Sequence, residues 1–407
     1  MSKNSFYTGQ PIFSQLLNFI PPSLVKGAAR MHQSDYRCKK FTTHAHLITM
    51  LYASFQQCTS LREVITGLQA TGPTLLHSGL LHTPRRSTLS DANERREAIV
   101  FEEIYHRLYK RHFNHSPDSR IKKGKNFREL YIIDSTTISL FSNIIRGAGS
   151  YKSNGRKKGG VKAHVLLHAG HEVGSFIRIT EGKQHDLTFL KGLKVPAGSL
   201  LVFDKAYTNY THFKNWNEQD IKWVTRQKTD AVSKRLKRLE VDEKSKQAGV
   251  LRDEMIRIGR PSNQRKIPLI EVRRVTYKEV GTKKKFQFIT NDIKSRPEQI
   301  AAIYKKRWQI ELVFKRIKQR YPLRYFLGDN ENAIRIQIWM ALICDLLIQM
   351  VQDQLTEKDI KWSYANLASM VRLHLMTYIL LIDFLKNPEK ALLNYCRPPT
   401  HLPSLFD

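Results

Sequence analysis

The sequence predicts an α/β protein in which a domain of strands and helices stands between two helical regions. Apolar residues recur at helical spacing up to about Asn114, short β-rich runs alternate with helices from Phe127 to about Arg226, and apolar-striped helices follow Pro297. A chain of 407 residues is long enough for two or three domains. We therefore expect an all-helical N-terminal domain at 1–120, a central domain at 121–340 with a β-rich insertion at about 228–292, and a C-terminal helical region at 341–407.

Two cap patterns divide the first helices of the chain. Thr42 or Thr43 can cap a helix that ends near Cys58, and the segment SLRE from Ser60 has the form of a capping box that opens a shorter helix. The TGP segment from Thr71 then ends that helix. The pattern predicts a compact helical unit.

A Pro-Arg-Arg turn leads into what we expect to be one long helix, SDANERREAIVFEEIYHRLYKRHF. Arginines at a helix start favour a DNA-reading module of helix-turn-helix type, with Arg85 and Arg86 as DNA contacts. A helical bundle with a solvated charged face explains the same pattern equally well.

From Phe127 the pattern changes to strands. YIIDSTTISL, VKAHVLLH and EVGSFIRIT are three β-like runs, followed by a short helix at DLTFLKGL, the strand LLVFD, a helix near YTHFKNW and the strand IKWVTR. Three strands, helix, strand, helix, strand is the order of an RNase H-like fold. Asp134 and Asp204 are each a lone acid in an apolar run, and we expect each to stand at the end of a strand. Such a fold would bring these two strands next to each other.

A β-rich insertion is expected before the next helix. After a highly charged stretch, VLRDEMIRIG, IPLIEVRRVTYKEVG and KKKFQFITND read as an antiparallel meander. More than one hundred positions separate Asp204 from Glu311, far more than a usual connection inside a compact α/β domain. The insertion accounts for this separation.

One helix, AAIYKKRWQIELVFKRIKQR, carries a polar stripe. Tyr304, Arg307, Glu311 and Lys318 follow one another at offsets of three, four and seven, so at about 100° per residue they share one narrow face. A carboxylate beside an arginine, a lysine and a phenol suits a metal ion and phosphate groups. The alternative is a surface ion-pair set, since Arg307 and Glu311 are spaced as an i,i+4 pair. The apolar helices that follow complete the core, and a dimer contact is an additional use for them.

Asp134, Asp204 and Glu311 together form a candidate catalytic and metal site. Buried carboxylates are costly unless they are paired or bound to metal, and three can hold two Mg²⁺ (or Mn²⁺) ions. Each aspartate alone could equally form a turn or a helix cap. We expect His164 and His168 to pack or contact DNA, because an oxygen-rich trio suits magnesium better than imidazole does.

These residues resemble the DDE transposases of bacterial insertion sequences, specifically the insertion sequence 4 family. The likeness lies in DSTT at Asp134, DKAY at Asp204 and the Tyr304-x2-Arg307-x3-Glu311-x6-Lys318 spacing, and it extends from about Gly9 to the WMALICDLL segment. Ala206 departs from the family, where many relatives have glycine. Relatives often show a His-Asp pair at the position of Asp186, which we expect to assist the site or to cap a helix.

The resemblance implies a cut-and-paste reaction on double-stranded DNA. In the family, the N-terminal domain recognises transposon ends, the insertion helps to hold the cleaved end, and metal-dependent cleavage is followed by attack of the freed 3′-hydroxyl on target DNA. Synapsis of two ends implies at least a homodimer on DNA. Tyr304, Arg307 and Lys318 would contact that DNA.

A basic segment between the first two strands is a further candidate DNA contact. RGAGSYKSNGRKKGGVK carries Arg156, Lys157, Lys158 and Lys162 with no acid, and we interpret it as a phosphate-contacting loop. A merely solvated basic loop is the alternative. The formal net charge of +32, from 68 Lys and Arg against 36 Asp and Glu, independently favours a polyanionic partner.

Several classes of protein are disfavoured by the sequence. The four cysteines lack the CxxC spacing of zinc ribbons, no GxxxxGK[ST] loop indicates a nucleotide cofactor, and no N-terminal export segment is apparent. Asp345 and Gln349 interrupt the most apolar stretch, which we interpret as a buried helix rather than a membrane span. We expect a bacterial cytoplasmic protein, associated with the nucleoid when bound to DNA.

Three rival functions share part of this pattern. An RNase H-like endonuclease would have the same acids but stop at hydrolysis, and a catalytically retired DNA-binding protein would need none of them. A basic RNA-binding protein explains the charge but not the carboxylates.

Overall fold

The computed structural model describes residues 9–113, 129–139, 150–153, 156–181, 186–190, 192–259, 268–279, 281–321, 323 and 325–395. The chain divides into two compact units, and each is described by itself. The helical unit comprises Met1–Ser116 and Arg316–Asp407, and the sheet unit comprises Pro117–Lys315.

Helices form most of the helical unit, and other helices cover the two faces of the sheet in the sheet unit. In chain order they are α1 Ile12–Leu17, α2 Pro22–Met31, α3 Thr43–Phe55, α4 Leu61–Ala70, α5 Gly72–Leu75, α6 Arg86–Arg95, α7 Ile99–Phe113, α8 Tyr210–Glu218, α9 Glu243–Gln247, α10 Pro297–Lys305, α11 Trp308–Arg320, α12 Glu331–Thr356, α13 Tyr364–Leu373, α14 Leu381–Lys386 and α15 Pro388–Tyr395.

The strands all lie in the sheet unit. They are β1 Leu130–Ser139, β2 Ser150–Ser153, β3 Arg156–His168, β4 Val173–Glu181, β5 Leu200–Phe203, β6 Lys222–Arg226, β7 Ser233–Leu239, β8 Val250–Ile258, β9 Ile270–Lys278 and β10 Lys285–Thr290.

The predicted caps of α3 and α4 are present. The Thr42 hydroxyl accepts a hydrogen bond from the Ala45 N–H at 3.3 Å, and the Ser60 hydroxyl accepts one from the Glu63 N–H at 3.2 Å. The Glu63 carboxylate accepts from the N–H of Thr59, one residue earlier than a capping box requires. Local sequence therefore sets the start of both helices.

The long helix predicted after Arg86 is instead two helices, α6 and α7. The Asn332 side chain holds the turn between them: its amide donates to the carbonyls of Asn93 and Arg96 at 2.9 and 2.7 Å, and its oxygen accepts from the Ala98 N–H at 2.9 Å. Because these backbone groups are satisfied from outside, the helix can end there without orphaned polar groups.

Helix α12 forms the centre of the helical unit. Over the described residues it is the one helix long and apolar enough to cross a membrane, yet 94% of its most apolar window is buried in the protein. It packs against α3 and α7, as predicted for a buried helix, and it is 26 residues long. The boundary that we predicted at 340 falls inside this continuous helix, so the helical unit includes residues assigned above to the central domain.

The first five long strands form an RNase H-like sheet, as predicted. Their spatial order is β4-β3-β1-β5-β6; β3 is antiparallel to both β4 and β1, whereas β1, β5 and β6 are parallel to one another. The short strand β2 pairs with the beginning of β3. Helix α8 connects the parallel strands β5 and β6, which need a crossover of this kind.

The insertion continues this sheet instead of forming a separate one. β10 pairs antiparallel with β6, and β9, β8 and β7 follow in order, so the described part of the chain contributes ten strands to one sheet. We did not predict β7, because its sequence, SKRLKRL, lacks the alternation of a half-buried strand. It lies at the end of the strand order, with five consecutive residues exposed.

Alternating side chains build one core on each face of the sheet. On one face, Ile133, Phe203 and Trp223 pack with Phe213 and Trp216 of α8. The other face carries a second core, in which side chains of β1, β5 and β6 pack against α10; its members are Leu130, Val202, Val224, Ile300 and Ile303. Helices therefore cover both faces of the parallel strands, as burial of such strands requires.

The predicted helix with the polar stripe is broken into α10 and α11. At the junction, the N–H groups of Lys306, Arg307 and Gln309 bond to carbonyls three residues earlier, at 3.1, 3.0 and 2.9 Å. This is a tightened turn of 3₁₀ type, which often marks a functional site. The prediction of one continuous helix was wrong, and only Glu311 and Lys318 remain on one regular helix.

Candidate active site

Sheet pairing places the two predicted aspartates side by side. Ile133 and Phe203 are the last residues that pair β1 with β5, and Asp134 and Asp204 are the next residue on each chain. Alternation directs both side chains to the face covered by α10. Contrary to our expectation, Asp134 does not end its strand, because β1 continues to Ser139 by pairing with β3.

Asp204 also caps the turn that follows its strand. Its Oδ1 accepts a hydrogen bond from the Ala206 N–H at 3.0 Å, at the start of the 3₁₀ turn Lys205–Tyr207. The capping use that we considered as an alternative is therefore present, and it leaves Oδ2 of the carboxylate available.

Arg307, at the junction of α10 and α11, joins Asp134 to Glu311. Its Nη1 donates to Asp134 Oδ2 and its Nη2 donates to Glu311 Oε1, each at 2.6 Å. The Arg307 and Asp134 side chains are 15% and 17% exposed, so little solvent screens the pair. The i,i+4 pair that we considered as a surface alternative is thus partly buried, and it also binds the first acid.

The carboxylates influence one another electrostatically. The pKa of Asp134 is raised to about 6, chiefly by burial; the Ser135 N–H and Arg307 lower it, whereas the negative charges of Asp204 and Glu311 raise it further. Burial lowers the pKa of Arg307, but its bond to Glu311 and the charge of Asp134 more than compensate, so the net shift is upward. A cluster of this kind is stabilised by positive charge.

The residues fit a divalent cation in chemistry. Among the described residues, no three acids, histidines or cysteines already lie in a group that could hold a metal ion. Nevertheless, Asp134, Asp204 and Glu311 offer carboxylate oxygens, the ligands that Mg²⁺ and Mn²⁺ prefer, and two of these acids already share one cation, Arg307. The donor set and its charge therefore suit a hard metal ion.

Tyr304 lies beside this arginine with its hydroxyl unpartnered. The Tyr304 ring is 4.8 Å from that of Phe288, and the Arg307 Cζ is 6.0 Å from the Tyr304 ring centroid. Neither the Tyr304 hydroxyl nor the Arg307 Nε, both buried, has a hydrogen-bond partner among the described residues. Unsatisfied buried donors are costly, so these two groups suit a polar ligand such as a phosphate.

Lys318 lies two turns beyond Glu311 in α11, on the same side of that helix by its spacing, about 10 Å along the axis. Burial lowers the pKa of this lysine.

The remaining basic candidates of the helical unit, Arg85 and Arg86, are exposed at the start of α6, so the DNA-reading and solvated alternatives both stay open.

Part of the predicted basic loop forms paired strands. β2 pairs there with the start of β3, with Tyr151 opposite Lys158. Arg156, Lys157 and Lys158 lie in β3, and their side chains are outside the described part of the structure.

Lys162, further along β3, forms an ion pair with Asp186. The distance from its Nζ to Asp186 Oδ1 is 2.6 Å, and both side chains are less than one fifth exposed. Ser135 donates to the same oxygen at 3.0 Å. Lys162 is therefore paired with a carboxylate in this DNA-free chain, and its contact with phosphate stays a prediction.

His164 behaves as a packed core histidine. It is fully buried, its Nε2 lies 3.1 Å from the Thr180 hydroxyl, and its ring stacks on Phe189. Burial lowers its pKa to about 4, despite Asp186 nearby, so it is neutral at neutral pH.

The hydrogen bond of Ser135 to Asp186 was not predicted from the sequence, because a serine in a strand has no distinctive spacing.

Two family models match parts of this chain. The family model of a transposase DDE domain matches residues 125–347, which contain all three acids, and the model of a domain of unknown function (DUF4372) matches residues 8–81. A candidate transposase of Sinorhizobium fredii is 33% identical over 270 residues, covering 66% of this chain and 72% of the relative.

One more similar sequence and one solved structure were also found. A candidate transposase for the insertion sequence element IS4SA of Synechocystis sp. is 27% identical over 304 residues, covering 73% of this chain and 78% of the relative. A solved structure of a piggyBac transposase synaptic complex with hairpin DNA aligns with 97% of this chain and 86% of its own, at 10% identity and a TM-score of 0.49.

Proposed function

Because the chain belongs to the family of transposases with a DDE domain, we propose that Asp134, Asp204 and Glu311 are the catalytic and metal-binding residues of a DNA transposase of the insertion sequence 4 type. The observation that supports this assignment best is the Arg307 bridge. Arg307 joins Asp134 of β1 to Glu311 of α11. Asp204 directly follows β5, the strand that pairs with β1.

Each carboxylate would act as an oxygen ligand. Two Mg²⁺ or Mn²⁺ ions held by the three acids would supply activation of the attacking oxygen and stabilisation of charge on the leaving oxygen. The Ser135 N–H donates a hydrogen bond to Asp134 Oδ1 at 2.8 Å, and the Ala206 N–H donates one to Asp204 Oδ1. These two bonds orient the carboxylates. The protein thereby fixes two ligands through backbone groups that are themselves held by the sheet and its turn.

Basic and phenolic side chains would hold the phosphate being transferred. The Tyr304 hydroxyl and Arg307 Nε are donors next to the acids with no partner among the described residues, and the Lys318 ammonium, further along α11, would add a positive charge. In-line attack by an activated oxygen on a phosphodiester needs such positioning and charge neutralisation more than covalent chemistry. The same site can serve both strand cleavage and strand transfer.

We propose double-stranded DNA as the partner, both at transposon ends and at the target. The net charge of +32 supports a polyanion, and Arg85, Arg86 and the basic residues at the start of β3 are candidates for further phosphate contacts. We further propose a homodimer in the synaptic complex, no nucleotide cofactor, and a cytoplasmic location with nucleoid association on DNA.

A cleavage and joining assay tests this function. Labelled DNA carrying the terminal repeats that flank the gene is incubated with Mg²⁺ or Mn²⁺ and with the native protein, Glu311→Gln or Glu218→Gln. Glu218 is an exposed acid of α8 and serves as the matched control. We expect joined products from the native protein and from Glu218→Gln, and none from Glu311→Gln.

Other outcomes identify the rival functions. Metal-dependent nicking without joining would indicate an endonuclease, and specific binding without chemistry would indicate a retired DNA-binding protein. Undiminished joining by Glu311→Gln would contradict the site assignment.

A further inference from the structure

We propose that Arg307 is a built-in competitor of the metal: its guanidinium and a divalent cation compete for the same oxygens of Asp134 and Glu311, so that this arginine weakens metal binding by the DNA-free protein. The inference rests on the proposed function, because it takes both acids to be metal ligands. It gives Arg307 a role in metal binding in addition to its proposed contact with phosphate.

Both oxygens of Asp134 already accept a hydrogen bond. Its Oδ1 accepts from the Ser135 N–H at 2.8 Å, and its Oδ2 accepts from Arg307 at 2.6 Å. The Ser135 N–H is part of strand β1 and cannot move away without disturbing the sheet. A metal ion bound at Oδ2 would lie next to the positively charged guanidinium, so it is repelled unless the arginine side chain moves away.

Glu311 is held by the same guanidinium. The second donor of Arg307, Nη2, is 2.6 Å from Glu311 Oε1, so one planar group satisfies both acids simultaneously. Charge-assisted bonds of this kind are stronger than neutral ones, and Arg307 is only 15% exposed, so water screens them poorly. Displacement of the arginine from both acids has a substantial cost.

The released arginine has a second ligand available. Its Nε and the adjacent Tyr304 hydroxyl are buried donors without partners. A phosphate oxygen would satisfy them and replace the two carboxylates as the counter-charge of the guanidinium. Metal on the acids and phosphate on the arginine should therefore favour each other, and by linkage DNA should raise the affinity for metal.

The test measures Mn²⁺ binding by the full chain without DNA, by electron paramagnetic resonance of the free ion, at a pH at which the carboxylates are ionised. Arg307→Gln removes the competing charge and should bind Mn²⁺ about tenfold more tightly than the native protein, because loss of one charged hydrogen bond corresponds to about a tenfold change in affinity. Arg307→Lys should be intermediate, because an ammonium cannot bridge both acids. Lys214→Gln removes an equal charge from exposed α8 and should bind as the native protein does.

Two further arms separate this inference from the proposed function. Asp134→Asn should weaken Mn²⁺ binding both in the native protein and in Arg307→Gln. A short DNA duplex should make the Mn²⁺ affinities of the native protein and of Arg307→Gln more alike. Native Mn²⁺ binding that Arg307→Gln leaves unchanged or weakens would overturn the competition while leaving the metal site intact. If no variant binds Mn²⁺ at a site that requires Asp134, the metal site and the competition both fail.

Discussion

Asp134 and Ser135 are consecutive residues of β1 whose side chains bond on opposite faces of the sheet. The Asp134 carboxylate meets Arg307 on the α10 face, whereas the Ser135 hydroxyl donates to Asp186 on the other. The Ser135 N–H also donates a hydrogen bond to the Asp134 carboxylate. The conformation of the proposed metal ligand is thus linked to a charged pair behind the strand.

That charged pair should contribute to stability. Asp186→Asn leaves Lys162 in a partly buried position without its counter-ion, and we expect it to lower the free energy of unfolding by about 1–3 kcal/mol. Urea denaturation measures the change. The double variant Asp186→Asn, Lys162→Met should recover part of the loss, because no unpaired charge remains. Additive losses would show that the two side chains are not coupled.

Ionisation of Asp134 should give the stability a defined pH dependence in the absence of divalent metal. Its folded pKa of about 6 lies above the ordinary value of 3.8, so the folded state holds the proton more tightly than the unfolded chain does. This stabilisation is complete below about pH 4 and is lost as the pH rises through 6, a change of up to about 3 kcal/mol.

Comparison of the native protein with Asp134→Asn isolates that dependence. The difference between their unfolding free energies, measured with a chelator present, should shift against the native protein from pH 4 to pH 7. A difference that stays constant with pH would show that the pKa of Asp134 is not raised.

Removal of the Tyr304 hydroxyl should separate stability from activity. Tyr304→Phe removes a buried group with no hydrogen-bond partner, so the unfolding free energy should stay the same or rise by up to about 1 kcal/mol. Strand transfer should nevertheless fall, by about tenfold, because one proposed phosphate contact is lost. Thermal unfolding and the joining assay measure the two effects. If Tyr304→Phe lowered the unfolding free energy as well as the rate of joining, the role of this tyrosine would be purely structural.

The turn between α6 and α7 should depend on a single side chain. Asn332→Ala leaves several backbone groups unpaired and should cost about 2–3 kcal/mol of unfolding free energy. Asn18→Ala is the matched control in the same unit, because its exposed side chain bonds only to the Gln10 side chain, and it should cost less than about 0.5 kcal/mol. Equal effects in denaturation would contradict the role assigned to Asn332.

A glycine before β8 should tolerate no side chain. Gly249 has a φ of +103°, and an added Cβ would lie 2.4 Å from the Lys278 carbonyl oxygen. Gly198 also has a positive φ, of +80°, but a Cβ there would meet nothing within 4 Å. Gly198→Ala should therefore cost about 1 kcal/mol and Gly249→Ala clearly more, as measured by denaturation.

Local sequence was enough to predict much of the fold and the neighbouring positions of the aspartates. The apolar runs around Asp134 and Asp204 gave the strands, and their order along the chain gave the arrangement of the sheet. The break before Trp308 could not be predicted, because no glycine or proline stands there. Arg307, at that break, bonds to Asp134, which is 173 positions away in the sequence.

The basic candidates show a second limit of sequence reasoning. Lys162 lies in a run of cations, yet its partner Asp186 comes from a separate segment that folds against it. A charge pattern cannot show which cations are already neutralised. The same limit applies to β7, where strand formation depends on its pairing with β8 and not on its own composition.

The basic strand β7 has a consequence for solubility. A five-stranded sheet that ended at β6 would leave β6 with unpaired backbone groups on its outer side, ready to pair with another molecule. The insertion covers β6 with β10 and moves that outer side to β7, where Lys234, Arg235, Lys237 and Arg238 are exposed. Two such strands repel each other, so the residues that would attract a polyanion also oppose edge-to-edge aggregation.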